Sequence, residues 1–78
     1  MDEPLTLRAP HACTVVRVAV TEGDAVHGGQ GLVLVEAMKM EHLLEAPAHG
    51  VVGRVSVAAG DVLEEGQAVL DLVPGEAP

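Results

Sequence analysis

An internal repeat constrains what this chain can fold into more than any other feature. Ala9-Pro10 recurs as Ala46-Pro47. The same shift of 37 residues lays Val15 on Val52, Arg17-Val18 on Arg54-Val55, Val20 on Val57, Gly23-Asp24 on Gly60-Asp61 and Gly29-Gln30 on Gly66-Gln67. The flanks follow without a gap, Leu7 falling on Leu44, Val33 on Leu70 and Val35 on Leu72. Self-similarity at a fixed offset means one structural unit used twice. With 78 residues in all, the expectation is a single domain over residues 1–78 with half-repeats at about 5–36 and 42–73.

Each unit reads as short strands separated by turns. "TVVRVAV" and "VVGRVSV" alternate apolar with polar or small residues in their later parts, the period of a half-buried strand. Gly-Asp follows each of them, and a Gly-Gln turn precedes "LVLVE" and "AVLDLV". Glycine tolerates positive φ at such turns, and an aspartate side chain can bond nearby backbone N–H groups. Leu5, Leu7 and Ala9 form an opening strand whose counterpart is His42, Leu44 and Ala46. No stretch sustains a helical period. Valine fills fourteen positions and Phe, Tyr and Trp are absent, so the core is aliphatic and β-branched. The expected fold is all-β, with eight strands in two four-stranded antiparallel sheets sharing one core. The halves should be related by an approximate two-fold axis.

Charge narrows the partners. A net charge of −8 opposes binding to nucleic acid or to anionic membrane surfaces. No apolar run approaches the ~20 residues that a membrane span needs. The acidic start "MDEPLTLRAP" lacks the pattern of a signal peptide. A chain this short buries only roughly 60–65% of its unfolded surface, which leaves little room for an internal active-site cavity. The expectation is a monomeric, non-catalytic cytoplasmic domain that meets proteins or small molecules.

The two copies are joined by "EAMKMEH", which holds the only lysine, Lys39. A strand over Leu32–Glu36 must turn back into one over Glu41–Ala46, with a hairpin tip at residues 37–40 and Met38-Lys39 at its apex. This pairing sets Glu36 opposite Glu41, Val35 opposite His42 and Val33 opposite Leu44. Two-residue hairpin turns favour Asn-Gly or Asp-Gly, because both central residues need positive φ. Met-Lys there costs on the order of 1 kcal/mol or more per residue. Glu36 facing Glu41 adds like-charge repulsion. Breaches of local consistency tend to mark functional sites. Shifted by the repeat, Lys39 corresponds to Glu76 in the tail, so only the first copy ends in such a turn.

"VEAMKMEH" closely resembles the Glu-Ala-Met-Lys-Met biotin-attachment motif of the biotin carboxyl carrier domains of biotin-dependent carboxylases. The run "EAMKMEH…APAHGVV" is most similar to the carrier segment of methylcrotonyl-CoA and related acyl-CoA carboxylases. The resemblance implies a flattened barrel with Lys39 at a hairpin tip, covalently biotinylated by biotin protein ligase. Glu36, Ala37, Met38 and Met40 would be the residues the ligase recognises. It further implies that the biotin arm shuttles a carboxyl group between biotin carboxylase and carboxyltransferase partners. Two alternatives share the architecture: a lipoyl-type carrier, whose usual motif resembles Asp-Lys-Ala, and an unmodified barrel adaptor.

The remaining chemistry-bearing residues read as structural. His11, His27, His42 and His49 lie on separate strands and turns without metal-ligand spacing, so they are expected at the surface or partly buried. Cys13, without a visible base or oxyanion device, reads as a small core residue. Met40 could equally serve the core or recognition.

Overall fold

The computed structural model describes residues 4–75, so Glu76 lies outside the described residues. Eight strands follow one another: β1 Leu5–Arg8, β2 Cys13–Val18, β3 Ala25–Val26, β4 Gly31–Ala37, β5 Met40–Glu45, β6 Gly50–Val55, β7 Val62–Leu63 and β8 Ala68–Pro74. They form two four-stranded antiparallel sheets, in the orders β1-β8-β6-β3 and β5-β4-β2-β7. No helix among the described residues is long and apolar enough to cross a membrane.

The repeat is reproduced strand by strand. Shifting the first half by 37 residues carries β1 to β5, β2 to β6, β3 to β7 and β4 to β8, and the order of one sheet then becomes the order of the other. Registers follow as well: Leu5 faces Leu72 as Val35 faces His42, and Val15 faces Val35 as Val52 faces Leu72. Each sheet takes two strands from each half. Neither half can therefore close its own sheet, and the two copies interlock rather than stack.

β4 and β8 share one burial pattern in which two consecutive residues, Leu32-Val33 and Val69-Leu70, are both buried. Simple alternation forbids this, but the ladders are irregular at these points, between Gly31 and Val33 and between Leu7 and Arg8. An irregularity of this kind turns successive side chains to one face. Further register shifts, between Val15 and Arg17 and between Val52 and Val55, interrupt the alternation of "TVVRVAV" and "VVGRVSV". Val16 and Arg17, consecutive in the strand, are both exposed in consequence.

The core is made of Val, Leu, Ala and Cys13, with no buried polar residue among the described ones. Burial pushes the Cys13 thiol pKa up. The two turn devices act as mirror copies. Asp24 Oδ2 accepts the Thr21 N–H at 2.9 Å and Asp61 Oδ2 accepts the Ala58 N–H at 2.9 Å. Gln30 Oε1 accepts the His27 N–H and Gln67 Oε1 the Glu64 N–H, both at 3.0 Å. These side chains satisfy donors that the tight turns would otherwise leave open.

Candidate functional site: the β4–β5 hairpin tip

The long hairpin β4–β5 closes through Met38 and Lys39. Their φ values are 53° and 65°, the only positive ones among the described non-glycine residues. Both lie in the left-handed region that a type I′ turn requires. The pairing read from the sequence is the one observed: Glu36 with Glu41, Val35 with His42 and Val33 with Leu44, closed by Ala37 with Met40.

Successive residues point to opposite faces here. Val35 and Ala37 face inward, Ala37 packing against the core. Their partners His42 and Met40 share that inner face, while Glu36 and Glu41 share the exposed outer one. Lys39 is exposed at the apex. Met38 is 93% exposed and Met40 61%, so neither is a core filler and the open question over Met40 is settled against burial. The tip thus holds an amine on a backbone fixed by cross-strand pairing, with large apolar side chains standing in solvent on either side.

Sequence reasoning missed what lies beside the tip. The β1–β2 loop brings His11 against His42, with ring centroids 5.2 Å apart and the planes at 71°. With Ala12, Ala37, Met38 and Met40 they line an open cleft of about 480 Å³. His27 and His49 form a second edge-to-face pair at 5.6 Å, and His49 Nδ1 accepts the Gly28 N–H at 2.9 Å. The four histidines are therefore two pairs, not isolated residues. The repeat held a signal for the first pair: His42 stands where the other copy has Leu5, and His11 where it has Ala48. Among the described residues no group of three or more His, Cys, Asp or Glu could hold a metal ion.

Comparison with known proteins places this geometry. Residues 5–72 match the biotin/lipoyl family described as "Biotin-requiring enzyme". A biotinylated protein TB7.3 homolog from Mycobacterium leprae is 43% identical over 63 residues, 81% of this chain and 89% of the relative. The methylcrotonoyl-CoA carboxylase subunit alpha of Arabidopsis thaliana is 41% identical over 66 residues, 85% of this chain but 9% of the relative. A dihydrolipoyllysine-residue acetyltransferase component from Azotobacter vinelandii is 42% identical over 60 residues, 77% of this chain and 9% of that protein. Among solved structures, a single-chain, multi-domain long-chain acyl-CoA carboxylase superposes with a TM-score of 0.88 at 40% identity, over 94% of this chain and 7% of that one. The chain thus spans about a tenth or less of the large enzymes it matches and most of the small biotinylated relative. The chain belongs to the biotin-requiring enzyme family, as a domain of the biotin carboxyl carrier type.

Proposed function

We propose that Lys39 is the residue that carries biotin. The observation that carries this reading is the strained turn: the only lysine of the chain sits, exposed, on a two-residue apex that a non-glycine pair occupies at a cost. The residues fit the group. A free amine at a rigid tip can enter a ligase site without local unfolding, and the flanking methionines offer exposed apolar surface to an enzyme that must find this lysine among all others. Glu36 and Ala37 complete the recognised segment, one on the outer face and one on the inner.

Attachment is an acyl transfer. A biotin protein ligase activates the biotin carboxyl group as an acyl-adenylate. The Lys39 amine attacks the carbonyl carbon, an N–C bond forms, and AMP leaves with the electrons of the broken C–O bond. Only a neutral amine has the lone pair for this attack, so a base on the ligase takes up the protons that the nitrogen loses on the way to the amide. This chain supplies no catalytic group and acts as a carrier. Its work is to hold the tether on a stiff, acidic, soluble barrel that can visit two active sites. When bound, the biotin ring carries a carboxyl group from a biotin carboxylase to the carboxyltransferase of an acyl-CoA carboxylase. The domain itself works as a monomer in the cytoplasm.

Co-expression with biotin protein ligase tests the assignment. The expected result is a mass gain of one biotinyl unit, abolished by Lys39→Arg. An unchanged mass under conditions that modify a control carrier overturns it. The lipoyl-bearing relative keeps a second reading in view, in which Lys39 carries lipoate. Met38 and Met40 around Lys39 favour biotin, and parallel incubation with a lipoate ligase separates the two by mass.

A further inference from the structure

The two copies of the repeat provide an internal control on the tip. The end of β4–β5 and the end of β8–β1 are equivalent places in the fold. Where one has Leu5, Pro74 and Ala48, the other has His42, Ala37 and His11. The inner face near Lys39 has therefore exchanged a leucine and an alanine for two imidazoles, and a proline for a smaller residue. The other end also carries an imidazole, His49 where this end has Ala12, but that ring pairs with His27 and not with the residue at Leu5. The result near Lys39 is the cleft lined by His11, Ala12, Ala37, Met38, Met40 and His42, whose volume of about 480 Å³ is that of a small-molecule site.

Its chemistry is specific. The walls are methyl, methylene and thioether groups, with two half-buried imidazoles as the polar groups. His11 Nδ1 lies 3.3 Å from the Ala12 carbonyl oxygen. A carbonyl only accepts, so this contact selects the tautomer with its proton on Nδ1 and with Nε2 as the acceptor. His42 stacks edge-to-face on it and brings a ring N–H of its own. The cleft thus suits a compact apolar body bearing both N–H donors and a carbonyl acceptor.

We propose that this cleft is the resting site of the biotin ring carried by Lys39, a proposal that rests on the assignment of Lys39 as the attachment residue. The ring has the required make-up: an apolar thiolane fused to a cyclic urea with two N–H groups and one carbonyl. His11 Nε2 accepts from a urea N–H, a His42 N–H donates to the urea carbonyl, and Met40 covers the thiolane. The tether makes a weak site sufficient. Lys39 lies between two residues that line the cleft, and a short flexible link gives an effective concentration on the order of millimolar. An intrinsic Kd of that size keeps about half the arms docked, and a partner site then loses only about two-fold in apparent affinity to the competition. The domain would carry its ring folded against the barrel and release it on docking, rather than trailing it in water.

The test uses the domain with 13C-methyl methionines, biotinylated in full as verified by intact mass, beside the unmodified domain and one acetylated at Lys39. Acetylation removes the same charge and adds no ring. Expected are NOEs between the Met40 methyl and the biotin ring, and shifts of the His11 and His42 ring signals in the biotinylated form alone. The variants His11→Ala and His42→Leu copy residues that the other end of the fold already accommodates. Both should still take biotin, lose those NOEs, and bind streptavidin about two-fold faster as the docked fraction disappears. A biotinylated domain whose His11 and His42 signals match the acetylated form, with no ring NOE, overturns this proposal and leaves the attachment reading intact. A domain that takes no biotin overturns both.

Discussion

The turn at Met38-Lys39 makes a quantitative claim: the protein tolerates backbone strain at its tip to present this segment. Replacing Met38 by Asn tests it. Met38 sits at φ 53°, where a non-glycine residue costs roughly 1–2 kcal/mol. Asn occupies this region several times more readily than most residues, so about half of that strain should be relieved. Met38 is 93% exposed, so losing its side chain forfeits at most a few tenths of a kcal/mol of burial. The net expectation is a gain of about 0.2–0.8 kcal/mol, and Tm should rise by roughly 1–5 °C for a domain of this size. Thermal unfolding of the unmodified domain by circular dichroism reads the gain. The ligase rate on the same variant should fall, since an exposed recognition side chain is lost. A Met38→Asn domain no more stable than the parent would refute the strain reasoning. One that is more stable and equally fast with the ligase would remove Met38 from recognition.

Five further substitutions probe the scaffold that holds that tip. A Cβ at Gly50 would meet the Val73 carbonyl and Pro74 backbone, which cannot yield. At Gly31 it would meet only the side-chain end of half-exposed Leu43. Gly50→Ala should therefore cost more than about 2 kcal/mol in urea unfolding and Gly31→Ala less than about 1. Asp24→Ala and Asp61→Ala remove equivalent turn bonds and should each cost about 1 kcal/mol. Asp24 should be the costlier, because it also accepts the Thr21 hydroxyl at 3.2 Å; the reverse order would count against the turn assignment. Burial raises the Cys13 pKa, so the folded state holds the thiol proton more tightly than the unfolded one. Stability from this group is full below the ordinary thiol pKa and lost as pH rises above it. Unfolding free energies between about pH 8 and 10 should fall less in Cys13→Ala than in the parent, and equal slopes would contradict the burial effect.

Much of this was legible in the residues, for physical reasons. A 37-residue offset with matching Gly-Asp and Gly-Gln pairs is hard to satisfy except by one unit used twice, because those pairs hold turns whose N–H groups the Asp and Gln side chains cap. The β4–β5 register was readable because a two-residue turn leaves no freedom in the pairing that follows. Strand exchange between the halves was not readable, since alternation reports a half-buried strand without naming its sheet. The irregularities near Val16 and Gly31 were hidden for a related reason: an unbroken apolar run masks the extra residue. At the site, Met38, Lys39 and their outward presentation came from local turn chemistry. The cleft did not, because His11 reaches His42 only through the packing of the β1–β2 loop on the hairpin. The breaks in the repeat from Leu5 to His42 and from Ala48 to His11 were its traces in the sequence.

Carrier function is tested most directly by loading. The domain, biotinylated and shown by mass to be so, is mixed with a biotin carboxylase, ATP and radiolabelled bicarbonate, then separated rapidly from small molecules. The expected result is acid-labile label on the domain, blocked by avidin and absent from Lys39→Arg. A fully biotinylated domain that takes up no label, while a control carrier loads under the same conditions, would contradict it.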